Sequence, residues 1–117
     1  VMSDPVKFTI PTDITMARAA EILSERKISS LLVCQESRLL GGLSLQDCTK
    51  AKTGGRNEVP VTAYANRRIQ NIPPGTSCRE AITLLAQAKE SILPVVEGDK
   101  LIGVVTQADM LLQVYDF

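Results

Sequence analysis

Apolar residues recur along this chain in two rhythms that alternate twice. Met16, Ala19, Ala20 and Leu23 keep the three- and four-residue spacing of one helical face, and Cys78, Ala81, Ile82, Leu85 and Ala88 repeat it later. Thr15 stands as a helix N-cap before the first stretch, and Ser77-Cys-Arg-Glu80 forms a capping box before the second. Two short apolar runs follow each helix, residues 31–34 then 39–43, and 93–96 then 101–105. Turn residues separate the runs, Glu36-Ser37 in one case and Gly98-Asp99 in the other, which predicts hairpins. A final helix opens at Ser44 or Thr106 and carries Leu45, Cys48 and Ala51, or Met110, Leu111 and Val114. A short extended segment ending at Ile10-Pro11 or Ile72-Pro73 precedes each set. The predicted order is β-α-β-β-α, twice.

The two sets are copies of one unit. A shift of 62 residues aligns 10–47 with 72–109 without a gap, and eleven of the 38 positions are identical. Identities fall at polar positions (Lys27/Lys89, Ser29/Ser91, Asp47/Asp109) as well as apolar ones (Leu31/Leu93, Val33/Val95), so shared periodicity alone does not produce them. The units are placed at 1–52 and 61–117. Residues 53–60, with two glycines and a proline, are read as the linker between them. Neither unit carries enough apolar residues to fold alone. The expected class is therefore α+β, with two sheets packed face to face around one core.

Composition narrows the chemistry. The 117 residues hold 13 basic and 13 acidic side chains and 3% aromatics. Neither a basic surface nor a row of stacking rings recommends nucleic acid as a partner. No apolar run is long enough to span a bilayer, and no signal peptide is visible. The opening Val1-Met2-Ser3 reads as the interior of a longer protein. Cys34, Cys48 and Cys78 are odd in number and show no CxxC spacing, which fits buried thiols in a reducing, cytoplasmic compartment rather than disulfides or zinc. With no histidine, the commonest general base and metal ligand is missing. No catalytic residue and no metal site is assigned, and the chain is not expected to be an enzyme.

The informative motif is Gly-x-x-Ser/Thr-x-x-Asp at the junction of last strand and last helix. It occurs as Gly41-Gly-Leu-Ser44-Leu-Gln-Asp47 and as Gly103-Val-Val-Thr106-Gln-Ala-Asp109. A hydroxyl at a helix N-terminus, among free N–H groups, suits a phosphate. A carboxylate one turn further in accepts only, which suits the paired hydroxyls of a ribose. The same residues also make an ordinary capping box. Both readings stand, and they are compatible.

These residues carry a resemblance. Ile-Pro, a helix, Ile-Ser-Ser-Leu-Leu-Val, then Leu-Leu-Gly-Gly-Leu-Ser-x-x-Asp, repeated as Ile-Pro, Ser-Ile-Leu-Pro-Val-Val and Leu-Ile-Gly-Val-Val-Thr-x-x-Asp, resembles the CBS repeat over residues 2–115. The resemblance implies a tandem pair (a Bateman module) with pseudo-twofold symmetry and two clefts. It is similar to regulatory regions of IMP dehydrogenase and AMP-activated protein kinase. It implies AMP, ADP, ATP or S-adenosylmethionine as regulatory ligand, with no required cofactor. It also implies homodimers and a fused or associated output domain. Carried over, one cleft uses Thr106 and Asp109 opposite the segment with Val6, Phe8 and Ile10. The other uses Ser44 and Asp47 opposite Ile69 and Ile72. Ser91, Ile92 and Pro94, or Ser29 and Ser30, line a base pocket.

The chain departs from the pattern in places. Gly42 replaces a bulky aliphatic, which is expected to loosen that strand end. Leu32 stands where a proline is usual. No basic residue closely follows Asp109, so that cleft is expected to take a ribose but not necessarily a polyphosphate, whereas Lys50 and Lys52 follow Asp47. That leaves the Asp47 cleft either degenerate or open to a more anionic ligand. Arg67 and Arg68 are either plain surface cations or within reach of a phosphate in that cleft. A ligand-free dimerisation scaffold is the competing reading of the whole chain.

Overall fold

The computed structural model describes residues 5–87 and 92–106. A 3₁₀ turn, Pro5–Phe8, leads into β1 (Thr9–Ile10), then α1 (Met16–Arg26), β2 (Ser30–Gln35), β3 (Arg38–Ser44) and α2 (Leu45–Thr53). A second 3₁₀ turn, Val61–Ala63, precedes α3 (Cys78–Gln87), β4 (Ile92–Glu97) and β5 (Lys100–Thr106). The fold is mixed α+β. The helix expected after Thr106 lies outside the described residues.

The internal duplication is visible in register. In the first unit Ser30 faces Ser44 and Val33 faces Gly41, with a bulge between Val33 and Cys34. In the second, Ile92 faces Thr106 and Val95 faces Gly103, with a bulge between Val95 and Val96. Every one of these positions is related by the 62-residue shift. So is the parallel contact of the leading segment, Ile10 with Val33 and Ile72 with Val95.

The hairpins meet tip to tip. Arg38 pairs with Lys100, joining all five strands in the order β1-β2-β3-β5-β4. Leu39 N–H donates to the Asp99 carbonyl at 3.3 Å, and Leu101 N–H donates to the Ser37 carbonyl at 2.8 Å. Those two bonds exchange under the same shift, so a local pseudo-twofold axis passes through the Arg38–Lys100 pair. The two sheets expected from sequence are thus hydrogen-bonded at one point as well as packed together.

Strand alternation divides the core. Leu31, Val33 and Leu43 turn to one side and pack with Met16, Ala19 and Leu23 of α1 and Ala51 of α2. Leu93, Val95 and Val105 pack likewise with Ala81 and Leu85 of α3. Residues on the opposite faces, Leu32, Ile92, Leu101 and Val104, meet in a third cluster with Phe8 and Ile69. That cluster draws on both units. Burying one such leucine is worth about 1.5–3 kcal/mol, so this shared layer supplies what neither unit has alone.

The segment read as a linker is tied to the first unit. Met16 N–H donates to the Val59 carbonyl and Ala17 N–H to the Asn57 carbonyl, at 2.9 and 3.0 Å. Thr15 Oγ1 accepts from Arg18 N–H at 3.2 Å. The donors that α1 would otherwise leave open at its start are therefore used by the chain itself. At its other end Lys27 takes a left-handed conformation, φ 55°, and closes the helix.

Candidate functional site

The buried polar side chains among the described residues are Ser30, Ser44 and Asp47. All three lie where β2 begins, β3 ends and α2 starts. Ser30 sits opposite Ser44 in the ladder, and Asp47 is three residues further along the helix. Burying hydroxyls and a carboxylate is unfavourable unless they are hydrogen-bonded, and here they are. Ser44 N–H donates to Asp47 Oδ2 at 2.9 Å, and Asp47 N–H donates to Ser44 Oγ at 3.4 Å. Ser44 Oγ also lies 3.1 Å from Asp47 Oδ2. Both halves of the capping box form, and Asp47 is only 6% exposed. Leu45 N–H is taken by the Ser29 carbonyl at 2.9 Å. The capping reading of this motif is realised in the first unit. The carboxylate also acts on its neighbour: burial, and then the Asp47 charge, push the Cys48 thiol up from its ordinary range.

The second unit's leader closes one side. Asn66 forms an antiparallel bridge with Gly42, through Gly42 N–H to Asn66 O at 3.0 Å and Asn66 N–H to Gly42 O at 2.7 Å. Both backbone groups of Gly42 are therefore held, and the expected loosening at this residue does not occur. Gly41 makes the approach possible. A Cβ there would lie 3.0 Å from the Asn66 carbonyl oxygen and 3.1 Å from Ala65 Cβ. Asn66 Oδ1 accepts from Arg68 N–H at 3.1 Å, turning the chain so that Arg67 and Arg68 emerge into solvent. In the other direction, the turn Pro5–Phe8, which contains Val6, packs against β5. Each leader thus crosses to the opposite unit.

The remaining expected residues sort by strand face. Phe8, Ile69 and Ile92 lie in the cluster shared by both units. Ile10 and Ile72 instead fill the helix-facing cores of their own units, 3% and 4% exposed, because each pairs with a helix-facing strand residue, Val33 or Val95. Pro94 is fully buried, its carbonyl accepting from Ile72 N–H at 3.0 Å. Thr106 ends β5, half-buried and opposite Ile92. Asp109 and Ser91 lie outside the described residues. Asn66 was missed by the sequence reading. An Asn that starts a turn was its one local signal, and nothing there pointed to Gly42.

A groove of about 330 Å³ opens elsewhere, between α1 and α2, over Ala17, Ala20, Cys48 and Lys52. Lys52 therefore faces the outer helical surface. Large apolar side chains exposed among the described residues are Leu45 and Ile82, at 51% and 40%, also on helices. Among the described residues no cluster of three or more Cys, Asp or Glu is placed to hold a metal. Among them, too, no helix is long and apolar enough to cross a membrane.

Comparison with known proteins gives the CBS domain as the matching family, over residues 1–54 and again over 61–116. The chain is 29% identical over 98% of its length to an A-adding tRNA nucleotidyltransferase of Geobacter sulfurreducens, covering 13% of that protein. It is 30% identical over 92% of its length to the choline transport ATP-binding protein OpuBA of Bacillus subtilis, covering 28% of it. The chain thus spans well under a third of these curated relatives. Among solved structures, CBSX2 in complex with AMP aligns with a TM-score of 0.85 at 22% identity, covering 98% of this chain and 92% of that one. The CBS domain pair of MJ0100, in complex with 5′-methylthioadenosine and S-adenosyl-L-methionine, aligns at 0.81 and 22%, covering 97% and 94%. At that identity the likeness carries the fold.

Proposed function

The chain belongs to the CBS-domain family as a tandem pair, and from that premise we propose that it is a regulatory module for an adenosyl ligand. The ligand is AMP, ADP, ATP or S-adenosylmethionine, bound between the two units, and the state it favours is read by a fused or associated output domain. The module is not itself catalytic and works in the cytoplasm, as a homodimer. The observation that carries this reading is the paired construction of the clefts. A hydroxyl ends the last described strand of each unit, Ser44 before α2 and Thr106 at the end of β5, and the leader of the opposite unit crosses to each of these strands. Solved pairs of this fold hold AMP or S-adenosylmethionine, and relatives carry the matched region within a nucleotidyltransferase and a transport ATP-binding protein. Signalling of this kind requires that the ligand bind two arrangements of the units with different affinity.

The test is a thermal-shift series with AMP, ADP, ATP and S-adenosylmethionine, on this chain and on Asp109→Ala. A ligand at a hundredfold excess over its Kd stabilises the folded state by about 2.7 kcal/mol. A shift with one adenosyl compound, lost in the variant, supports the reading. No shift with any of them at millimolar concentration refutes it.

A ligand-free dimerisation scaffold is favoured by a different observation. Asp47 is buried and engaged with its own helix cap, while Leu45 and Ile82 are left exposed on the helices. Leu45→Arg separates the two: it abolishes self-association if the helices pair two copies, and it leaves nucleotide binding intact if the clefts act independently.

A further inference from the structure

The pseudo-twofold symmetry makes the two clefts comparable residue by residue, and their charge is not conserved by it. On the Ser44 side stand Arg67, Arg68 and Lys50. The 62-residue shift replaces the arginines with Pro5 and Val6, in the leader that crosses to β5, and sets Leu112 in sequence against Lys50. Three cations in one copy thus correspond to three apolar residues in the other. The two arginines sit on a held segment, since Asn66 is bridged to Gly42 and its side chain accepts from Arg68 N–H. Lys50 lies one turn beyond Asp47 on α2. All three side chains are exposed, and none makes an ion pair with a described residue. Asp47, the nearest acid in sequence to Lys50, is turned into its own capping box.

From this we propose that the two clefts differ in ligand, and that Arg67 and Arg68 make the Ser44 cleft selective for an adenosyl ligand with a polyphosphate tail. The inference rests on the nucleotide reading above and adds which cleft reads the tail. Guanidinium groups suit this task because they bind phosphate oxygens in pairs and stay charged at any physiological pH. Their exposure makes the contribution salt-sensitive. The Thr106 cleft has Pro5 and Val6 in their place and a single leader cation, Lys7, set against Ile69, so it gains less from a charged tail.

The experiment is calorimetric titration of the protein and of R67A/R68A with AMP, ADP, ATP and inorganic triphosphate, at low and at high salt. Both substituted residues are exposed, and a matching thermal midpoint verifies that the variant folds. The wild-type protein binds ATP about tenfold more tightly than AMP, a difference of about 1.4 kcal/mol, and the ratio shrinks as salt rises. In R67A/R68A the ratio falls towards one while AMP affinity is unchanged, and R67K/R68K recovers part of it. An unchanged ratio in R67A/R68A overturns the inference, as does equal wild-type affinity for AMP and ATP. Inorganic triphosphate bound as tightly as ATP overturns it too, since the site would then read anions without the nucleoside. If no nucleotide binds either protein, the nucleotide reading itself fails and the inference falls with it. Tail-independent binding sinks the inference alone.

Discussion

Gly41→Ala is expected to unfasten the leader of the second unit from the first. The added methyl would lie 3.0 Å from the Asn66 carbonyl oxygen and 3.1 Å from Ala65 Cβ. One neighbour is backbone and the other is attached directly to it, so no side-chain rotation relieves the contact. Overpacking of this kind costs about 1–3 kcal/mol. If the segment moves away instead, the two hydrogen bonds between Gly42 and Asn66, at 3.0 and 2.7 Å, are lost. Each is worth about 1 kcal/mol net. The two routes give similar costs, and the molecule takes the cheaper. Against them stands the lower backbone entropy of alanine in the unfolded chain, which returns about 0.5–1 kcal/mol. The net expectation is destabilisation by about 1–2 kcal/mol. With a urea m-value of about 1–3 kcal/mol/M, the unfolding midpoint falls by roughly 0.5–1 M.

Stability alone does not separate a strained strand from a released leader, but amide exchange does. Asn66 N–H is protected by Gly42 O in the wild-type protein. Its exchange should quicken in Gly41→Ala by more than the global loss of stability accounts for, because the opening is local. A variant as stable as wild type, with Asn66 protection unchanged, would refute the argument. It would mean that the 3.0 Å approach relaxes without cost.

Other expectations follow from single features. Glu36 and Ser37 both take positive φ, 51° and 73°, in the two-residue turn of the first hairpin. Asn-Gly is the favoured pair for that turn, so Glu36→Asn with Ser37→Gly should stabilise by about 1 kcal/mol, raising Tm by a few degrees. Ser44→Ala removes a buried N-cap and should cost about 1–2 kcal/mol, more than Thr15→Ala at the more exposed cap of the first helix. Leu32→Ala opens a cavity in the layer shared by both units and should cost about 2–5 kcal/mol by chemical denaturation. Burial pushes the Cys34 thiol up to about 11, so its alkylation at pH 8 should be much slower than that of an unfolded control. The folded form then holds a proton that the unfolded chain releases near pH 9. Cys34 therefore contributes stability that is complete below about pH 9 and lost as pH rises towards 11. Cys34→Ala should flatten that alkaline loss.

What could be read from sequence follows what each signal encodes. The hairpins were legible because their period of two and their turn residues are local, and the observed strands extend the predicted runs by one residue at each end. The duplication was legible because it constrains polar and apolar positions together. Ser44 as a cap was legible because capping is decided within four residues. Partners distant along the chain were not. Nothing local to Gly42 says that Asn66 will pair with it, so a second glycine read as a weakness, whereas both its backbone groups are bonded to the second unit's leader. Nor could alternation alone say which of Phe8 and Ile10 faces the other unit. That depends on the parallel register of Ile10 with Val33, set by the packing of the first helix.

The same division bears on how a pair of units could respond to a ligand. Their contacts are of two kinds. One is the shared apolar layer of Leu32, Ile92, Leu101 and Val104, which is non-directional and tolerates small rotations. The other is directional: two backbone hydrogen bonds at the hairpin tips, and two more where Asn66 meets Gly42. The ion pair at the tips, Arg38 to Asp99 at 3.7 Å, is exposed and adds little. Rotation of one unit on the other can therefore keep most of the buried area while straining only a few hydrogen bonds, at a cost of a few kcal/mol. That is the scale a bound nucleotide can supply through a hundredfold difference in affinity between two arrangements. Leu101 N–H and Asn66 N–H report the two directional joints separately. If ligand changes the exchange of one and not the other, the untouched joint is the pivot about which the units turn.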